Sequence, residues 1–546
     1  MLAYTVQATD GDAGALGERL SGVGYDVVGR DGATLTVLGD ASVHSSLSAE
    51  AGVAILDASV LTVPAAGPVG VDESAASQDP ILPRKLDGKH YPTYYGGYRT
   101  VDGYNAFEDD LAAAYPTLVQ LIDYGKSWSG EPLHVLCVTA DAQNGCQLKP
   151  NVAKPRFLIV AQTHTRELTT SELTWRYLTY LVDGYERDAQ VTGVLDSTEI
   201  WIAPQVNPDG VRVVEQGIEH DGFGGDSRAW QRKNVDDSQS PGGHCTGSWS
   251  DSQDGTDINR NFDVDWGRTG TSKDPCSLVY GGPKAASEPE TTAQQDLFKL
   301  LYLDRRKDGM QAPAPKDTTG GMLTLHSYAN QVLLPWGFTT QHAPNETGLR
   351  SFGFRMSYFN GFAAGQAGEI LYNSSGATED WLYDQLGVAG FTWEIGPDGG
   401  TCAGFFPPYS CQDDFFSQNI SGLMYAAAAS QQPYTLTLGP TTLAVKAKPT
   451  RDETSAGKIT VTATIDDGAY GTTGVGRPAP QNVTAARIYV GKAPWAGGSP
   501  TTMKVKGRGA SIKATATVTG TGLAYVQGRD ADGNWGPIQE VWLTKH

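Results

Sequence analysis

Four short apolar runs constrain this chain more than any other feature. They are residues 157–161, 199–203, 323–326 and 391–394. Each is too short for a helix, and an almost unbroken apolar run suits a strand covered on both faces. Between them, residues 171–181 and 288–301 place apolar side chains at helical spacing. A strand buried on both faces needs a layer of helices on either side. Residues 91–433 are therefore expected to form an α/β domain, a mixed central sheet with helices on both faces.

The flanks read differently. Residues 1–63 suggest a small α/β unit: 3–8 alternate like a strand, 13–24 place Leu16 and Leu20 on one helical face, and 33–38 and 52–61 suggest further strands. Residues 64–90 are rich in Pro, Ala, Ser and Gly and read as an exposed linker. They contain the basic pair Arg84-Lys85, a candidate processing site. Residues 434–546 alternate over 458–465, 485–490, 511–518, 523–528 and 541–544, which predicts an all-β sandwich. With 546 residues the chain exceeds one core, so a division into domains is expected.

The net charge of −20 makes a general nucleic-acid binder a poor reading. The charge is uneven: residues 86–432 carry −19 and residues 433–546 carry +6. No run of about 18 apolar residues exists, so no membrane span is expected. The opening Met1-Leu2-Ala3-Tyr4 lacks the basic and apolar regions of a secretion signal, which is expected to be absent or already trimmed. Six cysteines fall into near neighbours: Cys137 with Cys146, Cys245 with Cys276, Cys402 with Cys411. Three local disulfides and an extracellular location are preferred over six reduced thiols. No Cys-x-x-Cys occurs, which argues against a thiolate zinc site.

The chemistry concentrates at the ends of the apolar runs. His164 and Glu167 follow 157–161, His326 closes 323–326, and Glu394 closes 391–394. Sites in open α/β sheets form beyond the carboxyl ends of strands, so these groups converge. Two imidazoles and a carboxylate are a zinc donor set that leaves a position open, as catalysis requires. Burying a glutamate at a strand end is costly without a role or a partner. Four other histidines, His134, His220, His244 and His342, have no such pattern and are read as surface or structural. The sequons at Asn345, Asn373, Asn419 and Asn482 are read as chance matches.

A wider set of motifs resembles one family. His164-Thr-Arg-Glu167, Asn207-Pro-Asp-Gly210, Asp257-Ile-Asn-Arg-Asn-Phe262, His326-Ser-Tyr328, the 371–381 stretch and Phe391-Thr-Trp-Glu394 occur in the order seen in zinc metallocarboxypeptidases of the funnelin (M14) type, carboxypeptidase A/B branch. The resemblance covers residues 91–433. It implies one zinc ion on His164, Glu167 and His326, with Glu394 as general base and later acid. It implies that Asn259 and Arg260 clamp a terminal carboxylate, that Tyr372 closes over it, and that Arg166 and Tyr328 lie along the cleft. Arg232 would stabilise the oxyanion, with Arg228 and Lys233 as the other candidates. Glu379, seven residues after Tyr372, would stand at the floor of the specificity pocket. An acid there suits C-terminal Lys or Arg, or mixed specificity.

By the same resemblance, residues 1–63 resemble in outline a pro-domain that shields the cleft. The tail resembles fibronectin III or immunoglobulin-like modules of secreted bacterial hydrolases, and its positive charge suits contact with an anionic cell surface. Its Asp530-Ala-Asp-Gly-Asn534 stretch is expected to be a hairpin turn, with a structural Ca2+ loop as the less common alternative. The expected partners are peptide or protein C-termini, and a monomer is expected. Two rivals remain at this stage. One is a related zinc amide hydrolase, a deacylase or a cell-wall peptide trimmer. The other is an inactive binding protein.

Overall fold

The computed structural model describes residues 1–61, 81–450 and 457–544. The N-terminal unit runs β1 (Leu2–Ala8), α1 (Ala13–Gly22), β2 (Asp26–Asp31), β3 (Thr34–Gly39), α2 (Val43–Ala49) and β4 (Val53–Val60). Its strands form one sheet in the order β2-β3-β1-β4. Leu16 and Leu20 of α1 pack on it beside Tyr4, Val6 and Val37.

The body opens with a small pair, β5 (Thr93–Tyr94) and β6 (Tyr98–Arg99), then α3 (Val101–Ala114), β7 (Val119–Lys126), β8 (Pro132–Val138) and β9 (Arg156–Val160). There follow α4 (Thr169–Gly184), α5 (Ala189–Ser197), β10 (Glu199–Ala203), α6 (Pro208–His220), α7 (Pro289–Leu301), β11 (Gly321–His326) and β12 (Gln331–Leu334). Next come α8 (Glu346–Asn360), β13 (Ala363–Gln366), α9 (Ala367–Ile370), α10 (Thr378–Leu386), β14 (Ala389–Glu394), α11 (Gln412–Ala429) and α12 (Pro433–Leu436). Eight strands make one mixed sheet, β13-β12-β14-β11-β9-β10-β8-β7. Its centre, β14-β11-β9-β10, is parallel.

Every residue of β9, β10 and β11 is buried. Successive strand side chains point to opposite faces, so both faces of the centre are covered. Helix α11 lies against β9 and β11, while α10 lies against β14. The structure thus gives the mixed α/β sheet that the apolar runs require. β13, Ala-Ala-Gly-Gln, has no apolar alternation and carries no strand signal of its own.

Past α12 come β15 (Thr441–Pro449), β16 (Lys458–Asp466), β17 (Val483–Val490), β18 (Thr501–Thr502), β19 (Lys504–Lys506), β20 (Ser511–Thr519), β21 (Leu523–Asp530) and β22 (Gln539–Trp542). They form two four-stranded antiparallel sheets, β15-β16-β20-β19 and β18-β17-β21-β22. Val461 and Ile465 of one sheet share a core with Ile488 and Val526 of the other.

The cysteines pair as neighbours: Cys137–Cys146, Cys245–Cys276 and Cys402–Cys411. The Asp530–Asn534 stretch forms the expected turn, and a structural Ca2+ site there finds no support. Both oxygens of Asp530 accept bonds from Asn534, at 2.7 Å from its backbone N–H and 2.8 Å from its Nδ2. That leaves the Asp530 carboxylate engaged within the turn. Arg84 and Lys85 are exposed, while the short loop that carries them is anchored to the body. Leu86 is buried, Arg84 pairs with Asp183 at 3.3 Å, and Lys85 Nζ donates to the Ala114 carbonyl at 2.8 Å. Residues 64–80 of the expected linker lie outside the described residues.

Candidate active site

The sheet brings three strand ends together. His326 and Glu394 close neighbouring parallel strands and stand opposite one another. On the other side of β11, Thr324 is opposite Val160, and the turn beyond β9 carries His164 and Glu167. The convergence follows from the parallel centre, since parallel strands put their carboxyl ends at one edge.

His164 Nδ1 lies 2.9 Å from Glu167 Oε1. His326 Nδ1 lies 3.1 Å from Glu167 Oε2 and 3.0 Å from His164 Nδ1. All three side chains are buried. Ligands about 2.0–2.1 Å from a tetrahedral zinc ion sit about 3.3 Å apart, so this donor set closes around one such ion with little adjustment. It is the one cluster of three or more such side chains among the described residues with ligand atoms all within 4.8 Å. The other ring nitrogens are also committed: His164 Nε2 faces Asp257 Oδ1 at 3.1 Å, and His326 Nε2 faces Thr324 Oγ1 at 3.0 Å. Such outer partners fix ring orientation and leave Nδ1 to the ion. Burial, then the Arg232 charge, pushes the His164 imidazole down, which favours its neutral, ligating form.

Asp257 links this cluster to the rest of the site. It is fully buried and accepts from Arg232 at Nε (3.1 Å) and Nη2 (2.9 Å) and from the Asn259 backbone (2.9 Å). Burial works to raise its carboxyl, but Arg232 and then His164 hold it well below the usual range. One carboxylate therefore orients both a metal-ligand candidate and the Arg232 guanidinium. Its place at the head of the 257–262 motif was the sequence signal. Arg232, rather than Arg228 or Lys233, reaches the cleft. Arg228 is tied to Asp221 at 2.7 Å, and Lys233 Nζ donates to the Pro275 and Ser277 carbonyls.

One cavity of about 60 Å3 joins His164, Glu167, Arg232, Asn259, Arg260, His326, Tyr328, Tyr372, Glu379 and Glu394. Asn259 Oδ1 accepts from the Thr378 backbone and hydroxyl at 3.0 Å, which sets its amide so that Nδ2 remains to donate. Arg260 donates to the Tyr372 hydroxyl at 3.3 Å and to the Gly270 carbonyl at 2.9 Å. Burial pushes the Glu394 carboxyl up to about 8, against the pull of His326. Burial also raises Glu379, whose Oε2 has no hydrogen-bond partner.

Arg166, expected along the cleft, is missing from the cavity wall. It is fully buried over the Phe405 ring and pairs with Asp26 of the N-terminal unit at 2.8 Å. That unit also lends Val27 and Val28 to the cavity wall. Arg30 donates to the Gly368 carbonyl at 3.1 Å, and Tyr372 belongs to the N-terminal unit's hydrophobic cluster. No signal in residues 1–63 marks Asp26, Val27, Val28 or Arg30 as reaching this site. At about 60 Å3 the cavity is far below the roughly 300–1,000 Å3 of open ligand pockets.

A family model described as zinc carboxypeptidase, peptidase family M14, matches residues 104–419, more than half of the chain. The chain belongs to the zinc carboxypeptidase family. Carboxypeptidase A1 of Bos taurus is 28% identical over 307 residues, 55% of this chain and 63% of that protein. The chain thus matches less than two thirds of that relative's length. A zinc carboxypeptidase of Saccharothrix mutabilis subsp. capreolus is 27% identical over 399 residues, 71% of this chain and 80% of that protein. The solved carboxypeptidase A of Helicoverpa armigera shares the fold, with TM-score 0.59 and 20% identity over 79% of this chain and 97% of that one.

Proposed function

We propose that this chain is a zinc-dependent metallocarboxypeptidase that removes the C-terminal residue from peptides and proteins and is made with its cleft capped. One observation carries the reading. The triad, the half-buried carboxylate Glu394, the Asn259–Arg260 pair and Tyr372 all face a single cavity. A general amide hydrolase has no use for the Asn259–Arg260 pair beside a tyrosine.

His164, Glu167 and His326 would hold the zinc ion, which when bound would supply Lewis acidity to the scissile carbonyl and to water. Glu394 takes a proton from the attacking water and hands it to the departing amine. Arg232, held by Asp257 through Nε and Nη2, directs its charge at the oxyanion. Asn259 Nδ2 and Arg260 bind the terminal carboxylate and select a chain end over an internal bond. Tyr372, already bonded to Arg260, covers the bound residue.

Glu379 sets the side-chain preference. A buried carboxylate with an unpartnered oxygen lacks a cation, and a C-terminal Lys or Arg supplies one. The preference is therefore basic or mixed. The N-terminal unit acts as a removable cap through Asp26–Arg166, and three disulfides suit an extracellular enzyme. The test is release of C-terminal residues from matched peptides after treatment with a trypsin-like protease. Activity is expected to rise as the cap is lost and to vanish in Glu394→Gln. A Glu394→Gln variant as active as the parent chain would overturn the mechanism.

A further inference from the structure

The C-terminal sandwich does not hang from the body. Asp467, just past β16, is buried and pairs with buried Arg355 of α8 at 2.8 Å. The same guanidinium donates to the Tyr470 hydroxyl at 3.0 Å and to the Thr437 carbonyl at 2.7 Å. The loop after Tyr470 then runs along the edge of the body's sheet. Ala364 of β13 donates to the Thr473 carbonyl at 3.3 Å, and Val475 donates back to the Ala364 carbonyl at 2.9 Å. Gly474 and Ala364 form a parallel bridge, so the sandwich lends the sheet a further edge segment beyond β13. Only glycine fits there: φ is +112° and a Cβ would meet the Ala364 carbonyl oxygen at 2.0 Å.

β13 leads into the segment that carries Tyr372. Gln366 and Glu369 form a capping box at the start of α9, with Glu369 Oε2 accepting the Gln366 N–H at 2.8 Å. Glu369 is gripped in turn by Arg350 of α8, at 3.0 Å from Nη1 and 3.1 Å from Nη2. Arg350 is nearly buried, and its Nη1 also donates to the Val475 carbonyl. A polar chain therefore runs from the sandwich loop through Arg350 and Glu369 to residues 367–372. A bidentate pair backed by a backbone acceptor restrains more than an exposed ion pair does.

We propose that the 471–476 loop of the sandwich is a brace that positions Tyr372, with Arg350 and Glu369 as the positioning residues that transmit it. The sandwich is then a working part of substrate binding in the same polypeptide. This rests on the assignment of Tyr372 to the bound chain end made under Proposed function. β13 pairs with β12 over only four residues, and residues 473–475 are the neighbour on its other edge that helps fix its register. Misplacing a closing residue by about 1 Å is enough to weaken binding of the terminal residue severely.

The test uses the full chain and two independent variants, Gly474→Val and Arg350→Gln, with Arg350→Lys as the conservative control. Backbone hydrogen exchange over 363–376 is measured in the uncleaved protein and requires no activity. KM and kcat are measured on a peptide ending in Lys after removal of the cap. In both variants exchange is expected to accelerate about tenfold or more, and KM to rise about tenfold with kcat within about twofold. Arg350→Lys recovers part of the loss. If either variant folds and leaves exchange and KM at parental values, the brace is wrong. Faster exchange with unchanged KM also overturns it, because the segment would then not position Tyr372. A parent chain that releases no C-terminal residue would instead sink the assignment of function, while the exchange result still reports on the brace contacts.

Discussion

Two regions of this molecule hold the same short segment, and they hold it by different means. The N-terminal unit touches 367–372 through Arg30, which donates to the Gly368 and Leu371 carbonyls at 3.1 and 3.4 Å, and through the apolar surface of Leu371 and Tyr372. The C-terminal sandwich reaches it through sheet pairing at Ala364 and the Arg350–Glu369 pair, anchored behind by Arg355–Asp467. The first grip lies over groups assigned to substrate in the proposed function. The second leaves the cavity wall alone and works on the segment's other contacts. In the proposed reading, the difference separates a cap, which comes off before substrate enters, from a brace, which stays.

Substitutions should split the two regions. The largest effect is expected from Arg355→Met, which leaves the buried Asp467 without its cation. Removing one partner of a buried pair costs about 3–5 kcal/mol, so a large fall in the unfolding midpoint should be seen by calorimetry. A loss near zero would mean that the sandwich is only loosely attached and that the brace has no anchor.

A second prediction concerns the body alone and gives a reference for both. Glu290 is fully buried, accepts the Trp128 N–H at 2.8 Å, and is pushed up to about 7 by burial. The unfolded chain releases this proton near pH 4.5, whereas the folded chain keeps it to about 7. Stability should therefore fall as pH rises through that window and level off above it, by about 3 kcal/mol. Glu290→Gln should flatten the slope in denaturant titrations at pH 5 and 8. An unchanged slope would assign it to other groups.

The smallest effect should come from the cap. Asp26→Asn removes the charge that holds Arg166, an interaction of about 1.5–3 kcal/mol when charged and buried. The uncleaved chain should then show about tenfold more peptidase activity, while the protease-treated protein stays unchanged. If the treated protein changes equally, Asp26 is not acting as part of a removable cap.

Legibility followed physical range. The four apolar runs announced the central sheet because burial on both faces leaves a local record, and titratable groups at their ends announced the triad. Asp257 was visible as the head of a motif, yet its link between His164 and Arg232 depends on a turn that only the fold supplies. β13 left no trace, since Ala-Ala-Gly-Gln is a strand only because β12 and residues 473–475 pair with it. The contacts of the two flanking regions were illegible for the same reason. Asp26 meets Arg166 at a sequence separation of 140, and Arg355 meets Asp467 at 112, and no local pattern selects such partners. The Asp530–Asn534 stretch shows the converse: its composition suits calcium, but closing a tight turn uses up Asp530.

The most direct measurement is a panel of matched peptides ending in Lys, Arg, Phe and Leu, offered to the protease-treated protein with and without a chelator. Release of a single C-terminal residue, fastest from Lys or Arg, abolished by the chelator and restored by zinc, is the predicted result. Cleavage that persists after the metal is stripped, or attack on internal bonds rather than chain ends, would contradict the account.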